Sequence, residues 1–275
     1  MTVSQSEAGR GAGVIPPRGA KGEDGMKLSG SSSLLDGFDG DVDVAADQSQ
    51  DLLGVVNQLQ KQQLKRTLPQ QIAEKLSQRI LFGLIPPRSR LIEQQIVDEF
   101  EVSNGPAREA LRLLAAEGLV VIQSHRGALV AELSRDDIRE IYDIRMVLWG
   151  LAARRACEKD GLGLADMVQT AADEMKSERI IKGSAAAYLK VAFGALVRLA
   201  LATGNWRLCA LLRQSVLPVL RYSQLKVMTI QQRRASAEMW LSLADAMRRQ
   251  DADAAESIAR KIISMTADAI LAVAE

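Results

Sequence analysis

Residues 91–130 read LIEQQIVDEFEVSNGPAREALRLLAAEGLVVIQSHRGALV, and the order of patterns inside this run decides the fold. Leu91 begins a short unit in which Ile96, Val97 and Phe100 are apolar at helical spacing. Val102-Ser103-Asn104-Gly105-Pro106 then reads as a turn feeding a helix. Ser103 or Asn104 suits the cap, and proline suits the first turn, where its missing N–H would have no helical partner anyway. Ala107, Ala110, Leu111 and Leu114 form one inward stripe, and Gly118 closes the helix. Leu119 to Ile122 reads as a strand, Ser124-His125-Arg126-Gly127 as a tight turn, and Ala128 to Ala131 as the return strand.

Upstream, Ile72, Leu76, Ile80 and Leu81 recur at helical spacing, and Gly83 with Pro86-Pro87 ends that helix. The order is therefore helix, helix, turn, helix, hairpin, the plan of a winged helix-turn-helix, placed at residues 67–133. Residues 51–66 form a short lead-in, in which Leu52, Leu53, Val55, Val56 and Leu59 suit a helix and Lys61, Lys65 and Arg66 are basic. Residues 1–50 differ in kind. Nine of the chain's 20 glycines fall in the first forty residues, beside Ser31-Ser32-Ser33 and an acidic stretch from Asp36 to Asp43. Such a composition buries too little apolar surface to offset the entropy of ordering, so disorder is expected there.

Everything after Ser134 reads as helix. Breaks are expected near Asp160–Gly163, Lys182-Gly183, Thr203-Gly204-Asn205 and Gln250-Asp251, and Pro218 is expected to kink or start a helix. The fold class is mainly α: a winged helix-turn-helix of three helices and a β-hairpin, then an all-α bundle over residues 134–275.

Bulk properties narrow the chemistry. The chain of 275 residues has a net charge of only +1, so a nucleic-acid surface has to be a local patch. Two cysteines, Cys157 and Cys209, exclude a disulfide framework, fit a reducing cytoplasm, and read as buried inert thiols. No uninterrupted apolar run reaches the ~18 residues of a membrane span, and no secretory core is expected at the N-terminus. The single histidine, His125, rules out a multi-histidine metal site and leaves Ser-His-Asp catalysis one candidate. No carboxylate pair, nucleophile–base arrangement or Gly-rich phosphate loop stands out, so the chain does not read as an enzyme, and no cofactor is assigned.

Residues 68–130 resemble the GntR family of bacterial regulators. The resemblance rests on Val102-Ser103, Pro106, Arg108-Glu109-Ala110-Leu111, Leu114, Glu117-Gly118-Leu119 and Arg126-Gly127 at the family's spacing. The helical remainder is similar to the ligand-binding (FCD-type) domain of the FadR subfamily, through Asp143-Ile144-Arg145, Ala202-Thr203-Gly204-Asn205 and Asp251-Ala252-Asp253-Ala254-Ala255. This implies a cytoplasmic homodimeric regulator, a repressor by the family's common habit, on a pseudo-palindromic operator in double-stranded DNA.

The recognition helix would then present Ser103, Asn104, Gly105 and Arg108 to the major groove, with Arg112 one turn further on. Arg108 can donate two parallel bonds to a guanine, and Asn104 can do likewise to an adenine. Ser103 and the free N–H groups of the first turn can hold a phosphate. Arg126 can enter a minor groove, beside His125, and Gly127 permits close backbone approach. A merely solvated face is the bland reading of both arginines, and a plain exposed turn residue that of His125. The sequence departs from the family at Gln94 and Asn104, where arginines are common, at Gly105 for threonine, and at Arg88 for a turn glycine. Those changes suggest a different operator.

Many members of the subfamily hold a divalent metal through one Asp and three His. This chain has no histidine after His125, and the corresponding places, around Lys190–Ala195, near Met239 and near Ile262, are apolar or basic. No metal site is expected. Cavity-facing Trp149, Leu196 and Met239 are apolar, and Arg145 sits where the subfamily often places a cavity arginine. An apolar effector or an acyl chain is therefore one expectation, and an organic acid or acyl-CoA the partner class; a filled core, or an internal salt bridge at Arg145, is the plain alternative. Two other classes compete with an effector-gated regulator: an interaction protein that has lost sequence-specific DNA binding, and an α-helical enzyme.

Overall fold

The structure, a computed structural model, describes residues 53–60, 66–123, 127–220 and 228–272. The expected disorder of residues 1–50, the wing-tip residues His125 and Arg126, and the basic residues Lys61 and Lys65 lie outside them.

Helix α1 (Leu68–Leu81) turns Ile72, Leu76, Ile80 and Leu81 inward. Gly83 follows with φ +75°, the left-handed stop that the sequence placed there. Strand β1 (Arg90–Leu91) comes next, then α2 (Glu93–Phe100) and α3 (Asn104–Ala116). The inward stripe of α3 is Ala107, Ala110, Leu111 and Leu114, as its spacing predicts. Gly118 leaves α3 at φ +71°, and strands β2 (Val120–Gln123) and β3 (Gly127–Val130) form the hairpin. Val120 pairs with Val130 and Gln123 with Gly127.

The sequence reading missed β1. It pairs antiparallel with β3, Arg90 opposite Leu129, giving a three-stranded sheet of order β1-β3-β2. Two residues are too short for an alternating pattern to register. Arg88, noted as standing where a glycine is usual, explains that usage: its φ is +64°, which an L side chain rarely adopts. Its side chain ion-pairs with Glu132, and its N–H donates to Val130 O at 3.0 Å.

The helical part comprises α4 (Arg135–Lys176), α5 (Glu178–Ile181), α6 (Ala185–Ala202), α7 (Trp206–Leu220), α8 (Ile230–Arg248) and α9 (Ala252–Leu271). The breaks fall where the sequence places them. Asp160 interrupts α4 with φ −157° and ψ 58°, and its carboxylate accepts from Gly163 N at 3.1 Å, capping the second half. Pro218 is a partial correction. It starts no helix but lies inside α7, near its end.

Helix α6 qualifies the membrane expectation. It has the length and mean hydropathy, 1.6, of a spanning helix, yet half of that stretch is buried against the protein and it carries Lys190 and Arg198. Tyr188, Phe193, Leu196 and Leu199 make it a core helix of the bundle. Cys157 and Cys209 are buried, and burial pushes both thiols up, which keeps them protonated and unreactive.

Candidate functional site

Two places collect the residues singled out in the sequence. The first is the N-terminal end of α3. Ser103 takes the cap position with extended backbone, φ −81° and ψ 168°, but its hydroxyl makes no capping hydrogen bond. The free first-turn N–H groups and this hydroxyl therefore face outward together. Asn104, Gly105, Arg108 and Arg112 are all exposed. Arg108 and Arg112 lie four residues apart, so they share a face.

Arg108 does not pack inward. Its side chain is 61% exposed, and Nε donates to Glu93 Oε2 of α2 at 2.7 Å. Arg112 Nη1 reaches Glu109 at 3.4 Å and is more exposed still. Surface pairs of this kind contribute little and exchange readily for a phosphate or a base edge. They orient the two cations without consuming them. Gln94, the other polar residue expected at this face, is exposed on α2 and donates to Asp98 Oδ1 at 2.8 Å.

Gly127 has a structural duty that the sequence did not reveal. Its φ is +81°, and a Cβ there would lie 2.2 Å from the Leu91 carbonyl oxygen of β1. The close approach this glycine permits is between strands, so its residue type is explained by the sheet alone. Gly105 is the opposite case: nothing lies within 4 Å of where its Cβ would stand, and its surroundings do not demand glycine.

The second place is the interior of the helical part. Arg145 is 1% exposed, the most buried charge among the described residues. Its guanidinium carbon lies 4.4 Å from the centre of the Tyr142 ring and 6.0 Å from that of Phe193. No ion pair to Arg145 occurs among the described residues, so the internal salt bridge weighed as an alternative is not made there. Its Nε has no hydrogen-bond partner, and neither does Nε1 of Trp149, one turn along α4, nor Nε1 of Trp240 on α8. Leu196 is buried and Met239 half-buried. Tyr188, on α6, is pushed up to about 12 by burial, against the opposing pull of a hydrogen bond with Ser236 and the charge of Arg233. Buried polar atoms are rarely left unpaired, and the two donors one turn apart on α4, Arg145 Nε and Trp149 Nε1, favour an acceptor. Trp240 was missed in the sequence, where an indole on an apolar helix reads as core.

A divalent metal held by one Asp and three His does not fit these residues. Lys190 is exposed, Met239 offers only a thioether, and Ile262 is buried. Among the described residues no three His, Cys, Asp or Glu side chains gather as a ligand set.

The chain matches two families. Residues 68–130 match the bacterial regulatory proteins of the gntR family, and residues 140–265 match the FCD domain. The gluconate operon transcriptional repressor of Bacillus licheniformis is 35% identical over 113 residues, 41% of this chain and 44% of that protein. The chain thus matches less than half the length of that relative. Two solved structures share the fold. One is McbR/YncC of E. coli, with a TM-score of 0.58, 19% identity and coverage of 76% of this chain and 98% of that one. The other is a putative regulator from Rhodococcus sp. RHA1, with a TM-score of 0.56, 22% identity and coverage of 75% and 99%.

Proposed function

By its two matched domains the chain belongs to the GntR family and carries an FCD domain, and on that premise we propose that it is a cytoplasmic, homodimeric DNA-binding repressor whose operator affinity is set by a carboxylate effector. The observation that carries DNA binding is the exposed tip of α3: Ser103, Asn104, Arg108 and Arg112 on one outward end, braced by the hairpin behind it. Repression is adopted from the printed name of the relative.

The effector reading rests on Arg145. A guanidinium taken out of water without a carboxylate is costly, and a ligand carboxylate supplies both the counter-charge and the acceptor. This favours an acid over a neutral apolar molecule. Both named classes, an organic acid and the acyl-CoA of the sequence reading, carry anionic groups, but only the first presents a carboxylate to Arg145. The FadR-type reading stands on the same ground. Dimerisation is supported by exposed apolar side chains in a row on α4, Ile144 and Val147, and by Trp206 and Leu211 on α7. Such rows on one molecule commonly mark a protein interface.

Linkage then follows. If operator and effector favour different placements of the winged domains, each weakens the other's binding by the same factor.

The test is selection of genomic fragments by the full-length protein at moderate salt. Enrichment of a few fragments carrying an inverted repeat is the expected result. Uniform recovery of all fragments would refute sequence-specific binding.

A further inference from the structure

The C-terminal end of the recognition helix α3 is held by the helical part, and the grip extends to a segment that the family match does not cover. Arg213, in the middle of α7, donates from Nη1 to Glu117 Oε1 at 2.6 Å. Glu117 is the residue that caps α3. The next residue, Gln214, donates from Nε2 to Ala116 O at 3.0 Å, one of the carbonyls a helix end leaves unpaired. A cation at this end also suits the helix dipole. Pro218 lies so close to Gly118 that a Cβ there would stand 3.1 Å from its Cγ.

Arg213 has a second hold. Its Nη2 donates to Asn57 Oδ1 at 3.3 Å. Asn57 belongs to residues 53–60, which precede the family-matched span of 68–130. In that segment Leu53, Val56 and Leu59 are buried, at 3%, 0% and 1% exposure. One guanidinium thus ties the lead-in segment, the end of the recognition helix and α7. The pair is largely removed from solvent, with side chains 16% and 25% exposed, so salt screens it weakly. A cavity of about 200 Å³ beside it, lined by Leu53, Asn57, Ser77, Glu117 and Arg213 among others, leaves the joint room to repack.

The other face of α7 is core: Leu212, Val216 and Leu217 are buried in the bundle. The turn at Thr203–Asn205 joins α7 to α6, whose Phe193 faces Arg145. The helix that reaches the base of the recognition helix is thus next in the chain to the one that carries Phe193.

We propose that Arg213 is a positioning residue: by bridging Glu117 and Asn57 it sets the orientation of α3, with residues 53–60 as a working part of the joint. This rests on the DNA-binding reading above and extends it to the means of control.

The test uses full-length R213Q, E117Q, N57A and the R213Q/E117Q pair, each checked for helical content. Hydrogen exchange without DNA comes first. R213Q is expected to speed exchange at residues 53–60 and at 113–118 together, whether or not any DNA binds. Affinity for a fragment selected by the wild type comes second. A three- to tenfold loss is expected in R213Q and E117Q, with the double variant no worse than R213Q alone. The slope of affinity against salt should stay unchanged, because none of these residues touches a phosphate. Unchanged exchange, additive losses in the double variant, or a flatter salt slope would overturn the proposal. Failure of the wild type to select any fragment, with the exchange result intact, would instead refute the DNA-binding reading and leave the joint standing.

Discussion

The recognition helix and the helical part treat their helix starts and their cations in opposite ways. In the helical part the helices carry their own caps. Ser134 accepts from Asp137 N at 3.1 Å, Ser184 from Ala187 N at 3.1 Å, Thr229 from Gln232 N at 3.2 Å and Asp251 from Ala254 N at 2.9 Å. The recognition helix has a serine in the same position and makes no such bond. Conversely, α3 carries its cations outside, whereas the helical part hides Arg145 within. Unfilled hydrogen-bonding capacity points outward at the tip of α3 and inward at Arg145. A solvent-borne duplex can meet the first, and only a molecule small enough to enter a bundle can meet the second.

That contrast can be broken experimentally. The largest effect is expected from Arg108→Ala, which should lower affinity for the selected fragment by about 5- to 150-fold, the ~1–3 kcal/mol of a bidentate base contact, and relax selection at one base pair. Equal affinity in a gel-shift titration would make the outward arginines a solvated face.

Arg145→Met is the inward counterpart. Thermal unfolding of the wild type should rise with a saturating carboxylate, by about 2.7 kcal/mol when the ligand is at a hundred times its Kd, and Arg145→Met should show no rise. The apo variant should unfold no earlier than the wild type, since a buried cation without a carboxylate partner contributes little stability. A variant that still responds to the acid would place the effector elsewhere.

Gly127→Ala separates scaffold from contact. The new Cβ meets the Leu91 carbonyl and the backbone is left-handed, so a loss of about 1–3 kcal/mol in denaturant stability is expected. Wild-type stability with weakened DNA binding would instead make this glycine a contact residue.

Ser103→Ala against Ser134→Ala sharpens the comparison of caps. Ser134→Ala should cost about 1 kcal/mol, because it removes a made cap. Ser103→Ala should leave thermal stability nearly unchanged and act on DNA affinity alone. Equal destabilisation by the two would erase the distinction.

Gly105→Ala should stabilise α3 by about 0.5–1 kcal/mol, as alanine does over glycine in a helix with open space around it. It changes no cation, so affinity should stay within a few-fold.

Much of this architecture was legible because local patterns agreed with the global fold. The stripe Ala107, Ala110, Leu111, Leu114 and the breakers at Gly83, Gly118 and Gly204 act within a few residues of themselves, and periodicity reads such effects directly. The outward arginines were legible too, since a charge beside an apolar stripe has only the solvent side left to occupy. Their ion pairs with Glu93 and Glu109 were not read, and neither was the strand Arg90–Leu91, whose existence depends on β3 lying next to it.

By itself, then, the sequence determined the order of elements, the polarity of each helix face and the lack of a histidine ligand set. Those follow from spacing and composition, which are properties of neighbours along the chain. Only the tertiary structure decided that Gly127 answers to β1, that Arg145 lies against Tyr142 and Phe193 with no carboxylate partner among the described residues, and that Arg213 reaches across to Glu117 and Asn57. Apart from Arg145 over Tyr142, one helical turn away, each of these joins residues tens to more than a hundred positions apart, and no periodicity within a helix or strand carries information over that separation.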